Sequence, residues 1–150
     1  MHPLADAWAI NARINLYLLE SLTEEQLDVK PLKGRVPRAQ FVHIHNVRLM
    51  WLQSARPDLH AAQTKLENTA PTDELRRALE ASGDAIGVLI EDAATGDLRV
   101  KGHKPNAYSF MGYLISHESH HRGQLELILR TAGLPISDKV SFGLWEWGTR

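Results

Sequence analysis

The 150-residue chain has no cysteine. That absence removes disulfides, thiolate metal ligands and a cysteine nucleophile together, so any metal must be held by nitrogen and oxygen. Long apolar runs are missing too. None approaches the roughly 20 residues that a membrane-spanning helix needs, and the opening Met1-His2-Pro3-Leu4-Ala5-Asp6-Ala7-Trp8 lacks the basic start and apolar core of a secretory signal. A soluble, cytoplasmic protein with no membrane partner is expected. Nor is there an excess of charge: 17 Lys and Arg against 18 Asp and Glu give a formal charge of −1. With no basic run or stripe, nucleic acid is not an expected partner. Repeats, low-complexity tracts and convincing strand alternation are also absent, while 43% hydrophobic content is ordinary for a single domain, residues 1–150, with a full-sized core.

What is present is helical periodicity. Leu4, Ala7, Ile10, Ile14, Leu18 and Leu22 mark a first helix. Thr23-Glu24-Glu25-Gln26 has the form of a capping box and predicts one short turn before Pro31. A basic, breaker-rich loop from Lys30 to Arg38 leads into a second helix expected from Arg38 to Ala55, before Pro57. After a polar segment ending at Pro71, Thr72 or Asp73 is suited to cap a third helix with the inward seam Leu75, Leu79, Ser82, Ile86 and Leu89, stopping near Gly96. The stretch from Ala94 to Ala107, with Gly96, Gly102 and Pro105, reads as the longest mobile loop.

The fourth helix, Phe110 to Gly133, holds three of the eight histidines. Its stripe of Phe110, Leu114, Leu125 and Ile128 takes in His117 and His121. Four residues turn about 400°, so these two imidazoles project from one face, within reach of one metal ion. Burying two imidazoles without partners costs roughly 1–3 kcal/mol each, which a shared cation offsets. Gly123 stands out as a mid-helix glycine and suggests close approach of another backbone. The tail Val140 to Trp147 is too aromatic for a solvated end and is expected to pack on the helices or across a dimer interface. The expected fold is an all-α bundle with Ile14, Leu18, Val47, Leu79, Ile86, Leu114, Leu125 and Ile128 in its core.

A third ligand from the second helix would complete a site of three neutral imidazoles, acceptable to zinc, nickel, iron or copper, with at least one coordination position open. His43 and His45 point about 200° apart, so only one can serve. His43 aligns with Val47 and Met50, His45 with Phe41, Leu49 and Leu52, and periodicity does not choose. The string His117-Glu118-Ser119-His120-His121 also matches H-E-x-x-H, in which the glutamate is a general base; this makes Glu118 a candidate catalytic residue. Small size, the lack of a strand to align a peptide and the lack of a further histidine downstream argue against a peptidase. Glu126 and Glu146 are not preferred as ligands.

His117-x-x-x-His121-Arg122-Gly123-Gln124, with Leu129-Arg130 and Gly133-Leu134-Pro135, resembles the DinB family, also called DinB/YfiT-like. Phe41 to Leu52 resembles the family's second helix, and Gly143-Leu144-Trp145-Glu146-Trp147 resembles endings in one branch. The resemblance implies an up-down-down-up four-helix bundle, commonly dimeric, with a divalent metal on His43, His117 and His121. Zinc or nickel comes first, then iron or another ion, and His120 takes a role beside the ligands. Relatives include S-transferases using small thiols such as bacillithiol or mycothiol, and a mycothiol-dependent isomerase. The expected activity is therefore metal-assisted activation of a low-molecular-weight thiol, the nucleophile arriving with the cosubstrate in a chain that has no cysteine. The alternatives are a hydrolase using metal-bound hydroxide, or a non-catalytic, stress-related metal or small-ligand binding dimer.

Overall fold

The computed structural model describes residues 1–96, 98–103 and 106–150. Pro105, part of the expected long loop, lies outside the described residues. Seven helices and no strand occur among those described: α1 (Pro3–Glu20), α2 (Glu24–Asp28), α3 (Pro37–Ala55), α4 (Pro57–Ala61), α5 (Thr72–Thr95), α6 (Ala107–Thr131) and α7 (Asp138–Gly143). Among the described residues no helix is long and apolar enough to cross a membrane.

The helix ends follow local chemistry. His2 Nδ1 accepts from the Leu4 amide and Pro3 fills the first turn of α1, where its missing N–H costs nothing. The capping box of α2 forms as the sequence predicts, Thr23 and Gln26 satisfying each other's backbone amides. Asn106 caps α6 by accepting from the amides of Tyr108 and Ser109. Gly96 closes α5 at φ +92°, a left-handed conformation costly for any residue with a Cβ. One expected cap is absent, because α5 starts at Thr72 without a side-chain cap. The Thr72 hydroxyl instead donates to Glu24 and accepts from Arg38, whose guanidinium also binds Asp28 and so ties α2 to α3 and α5. The segment between Arg56 and Pro71 contains α4, which the sequence reading does not include.

The four long helices, α1, α3, α5 and α6, surround one interior: α1 and α3 each pack against both α5 and α6. That interior has three tiers. Ile14, Leu18, Phe41, Ile44, Leu75, Leu79, Leu125 and Leu129 form one apolar cluster, and Leu4, Trp8, Leu52, Ile86, Leu89, Phe110 and Leu114 form another. Between them on every long helix lie buried polar residues: Asn11 and Asn15, His45 and Arg48, Ser82, then Glu118 and Arg122. The seam of α1 therefore runs Leu4, Trp8, Asn11, Asn15 and Leu18, rather than through Ala7 and Ile10, which are only half-buried. Val47 and Ile128 are likewise half-buried instead of core, and Met50 is exposed. The polar residues occupy their places, because α3 turns Phe41, His45, Arg48 and Leu52 inward and α6 turns Leu114, Glu118, Arg122, Leu125 and Leu129.

Close packing against a glycine occurs at Gly83, not at Gly123. A Cβ on Gly83 would lie 3.2 Å from Ala12 Cβ and 3.3 Å from Arg48 Nη1, and the Gly83 carbonyl accepts from Trp8 Nε1 at 2.8 Å, whereas Gly123 faces open space. The aromatic tail folds back on α1. Leu144 is buried against the first apolar cluster, with Val140 and Trp147 beside it, and a Cβ on Gly143 would overlap the Tyr17 phenol. Arg150 stacks on Tyr17 at 3.7 Å and donates to the Gly143 carbonyl. Phe142 and Trp145 remain 72% and 80% exposed.

Candidate metal centre

His43 on α3 meets His117 and His121 on α6. One nitrogen from each of the three lies within 4.8 Å of the others, and His43 Nε2 and His117 Nε2 are 3.3 Å apart. That spacing matches the edge of a tetrahedron of nitrogens set about 2.0–2.1 Å from a central ion. His45 is not part of the cluster. It is fully buried, its Nε2 donating to the Thr64 carbonyl at 2.8 Å and its Nδ1 accepting from Ser82 Oγ at 3.1 Å. Geometry thus brings His43, and not His45, beside His117 and His121, for a reason opposite to the apolar alignment of His43. The core side of α3 is the His45 side, while His43 stands on the half-buried flank facing α6.

The cluster is poised as neutral donors. Burial is the main cause holding His43 and His117 below the usual imidazole range; Arg35 and His117 act in the same direction on His43, and His120 and Arg48 on His117, partly opposed there by Glu118. His121 is pushed down to about 4, first by burial and then by His117, His43, His120 and Arg35. Neutral imidazoles offer lone pairs, and two of them 3.3 Å apart have no proton to share if both point those pairs at one centre. His117 Nδ1 is buried without a partner.

Two glutamines that sequence reasoning missed orient the site. Gln40 Oε1, on the buried first turn of α3, lies 2.7 Å from His121 Nδ1. An amide oxygen can only accept, so Nδ1 carries the proton and Nε2 keeps the lone pair for a metal. Gln40 Nε2 donates to Gln124 Oε1 at 3.2 Å, and Gln124 Nε2 donates to His120 Nε2 at 2.9 Å. His120 stands at the end of this hydrogen-bonded chain. The spacing of Gln124, three residues after His121, is the signal available in the sequence; Gln40 has none, because its partner lies 81 residues away.

Glu118 is not brought to the cluster. Its carboxylate is fully buried on the core side of α6, accepting from Arg48 Nε at 2.7 Å and Arg48 Nη2 at 3.0 Å, and from Asn11 and Asn15 at 2.7 Å each. The two asparagines turn their carbonyl oxygens to Arg122, and Arg48 Nη1 donates to the Leu79 carbonyl and Ser82 Oγ. A carboxylate taking four hydrogen bonds has little capacity left to accept a proton from a substrate. H-E-x-x-H here joins two faces of one helix: histidines toward α3, glutamate toward the interior.

The family profile of DinB matches residues 2–140. The chain belongs to the DinB family. An uncharacterized protein, YrdA of Bacillus subtilis (strain 168), is 25% identical over 150 aligned positions, covering 94% of this chain and 88% of its own. No solved structure matches significantly. In this DinB chain the histidine cluster is compatible with a divalent metal, and its donor set, all nitrogen with no thiolate, fits zinc, nickel, iron or copper.

Proposed function

We propose that this DinB protein is a divalent-metal enzyme that activates a small thiol for transfer to an electrophile. In this reading it is an up-down-down-up four-helix bundle, cytoplasmic and homodimeric. The observation that carries it is the convergence of His43, His117 and His121 as three neutral donors at a half-open surface, because three protein ligands leave a coordination position for an exogenous group. A divalent ion held there would supply Lewis acidity that favours the thiolate form of a bound thiol.

The chain's own residues do the rest. The three imidazoles hold, Gln40 fixes the tautomer of His121, and Arg48, Glu118 and Arg122 lock α6 to α1 and α3 beneath the site. The transferred sulfur gives its proton to solvent, forms a bond to the electrophilic carbon, and the leaving group departs with the bonding pair. Hydrolysis is supported less well, since Glu118, the proton carrier it would use, is committed to the interior. The dimer is supported by Phe142 and Trp145, which project apolar surface that packing within one chain leaves uncovered.

The test begins with protein purified without chelator. Metal analysis should give one equivalent per chain, lost in His117→Ala and His121→Ala but kept in His2→Ala and His60→Ala. The loaded protein should then speed the reaction of 2-mercaptoethanol with 1-chloro-2,4-dinitrobenzene, and stripping the metal should abolish that gain. Metal retained without thiol turnover would make the protein a binding module, and thiol-independent ester cleavage would make it a hydrolase. Light scattering should give twice the chain mass, and Trp145→Glu should shift it toward one.

A further inference from the structure

The seam between α3 and α6 has two unlike ends. Toward the start of α3 it is closed by the hydrogen-bonded pair Gln40 and Gln124. In the other direction α3 and α6 run antiparallel into a group of rings. Tyr113, one turn before His117, lies nearly parallel to that imidazole, with 18° between planes and 6.1 Å between centres. Behind Tyr113 stand Trp51 at 5.6 Å and His103 at 5.1 Å, and Trp51 is braced by Phe110 at 5.4 Å. Trp51 meets both Tyr113 and Phe110 edge to face, the favoured kind of contact, while His103 lies tilted against Tyr113 at 46°. Tyr113 nonetheless remains 40% exposed. Pinned rings that keep open apolar surface beside a ligand-accepting centre form a platform rather than core. Beneath the histidines the interior is filled by Arg48 and Glu118. A molecule whose head takes the open position therefore extends along Tyr113 or into solvent.

We propose that Tyr113, backed by Trp51, is the apolar subsite of the metal centre and receives a flat, aromatic group carried by the metal-bound molecule. The inference rests on the metal centre with an open position, and not on the bound head being a thiol. Within the thiol reading, the subsite belongs to an aryl-bearing electrophile or thiol rather than to a small aliphatic one. Stacking beyond plain area burial gives a preference of about two- to tenfold.

Cobalt(II)-loaded protein makes the test independent of turnover, because ligands entering the open position change the cobalt d–d spectrum. Imidazole and 4-phenylimidazole share a metal-binding head and differ by one ring. The wild type should bind 4-phenylimidazole about two- to tenfold more tightly, after allowing for their difference in basicity in free solution. Tyr113→Phe should keep that preference, and Tyr113→Ala should lose it with cobalt content, imidazole affinity and helicity unchanged. An equal preference in wild type and Tyr113→Ala, or none in the wild type, overturns the subsite and leaves the metal reading intact. Failure of cobalt to bind, or of either probe to alter the spectrum, overturns both.

Discussion

Gln40 constrains the candidate metal centre without being one of its three nitrogen donors. Its acceptor oxygen 2.7 Å from His121 Nδ1 admits one tautomer only, the one with Nε2 unprotonated. Gln40→Leu keeps comparable bulk and removes that constraint, so divalent-ion affinity should fall about 10- to 100-fold, read by competition with a metallochromic chelator, while helicity stays constant. The two histidines of α3 separate by a different criterion. His43→Ala should lose the ion with little loss of fold stability, because His43 is half-buried and bonded only within the cluster. His45→Ala should do the reverse. It removes a fully buried ring bonded at both nitrogens, to Ser82 and Thr64, and leaves the Thr64 carbonyl without that partner, a cost of about 1–3 kcal/mol. Urea denaturation and metal titration of both variants check the pair; loss of the ion in His45→Ala alone would reverse the assignment.

On the level of the helices, the sequence was legible where burial is apolar and local. The capping box at Thr23, the stop at Gly96 and the seam of α5 are settled within a few residues, and each appears as the residues predict. The histidine pair on α6 was legible because a helix alone places i and i+4 together. Legibility failed at the asparagines and the glutamate that share an apolar stripe. In Leu4, Trp8, Asn11, Asn15 and Leu18 the asparagines break a hydrophobic count, although their partners Glu118 and Arg122 sit more than 100 residues away in the same tier. The same blind spot made Glu118 a catalytic candidate. Its four buried hydrogen bonds give it a structural load: Glu118→Ala strands Arg48 without a counter-charge, costing about 3–5 kcal/mol, a large part of a typical 5–15 kcal/mol stability. Thermal melts of the metal-free protein check this. A variant with wild-type stability and no turnover would return Glu118 to the chemistry.

For the molecule as a whole, stability and metal binding meet in one quantity, because the three candidate ligands come from α3 and α6, elements far apart in sequence that are held together only when the chain is folded. The unfolded chain offers no preformed cluster, so binding free energy is transferred to folding. At a free ion concentration 100 times the dissociation constant, the gain is about 2.7 kcal/mol. For a chain of this size that corresponds to a rise in melting temperature of about 5–10 °C. The interior tier does not contribute to the rise, since Asn11, Asn15, Arg48, Glu118 and Arg122 are fully engaged with one another without any ion. Metal-free and zinc-loaded wild type should therefore differ by that interval in differential scanning fluorimetry. His117→Ala and His121→Ala should melt at one temperature with or without zinc, and Glu118→Gln should melt lower in both states while retaining the zinc-dependent interval. A wild type whose melting temperature ignores zinc at saturating concentration would mean that the three imidazoles do not act as one site, and every step from the cluster to thiol activation would fall with it.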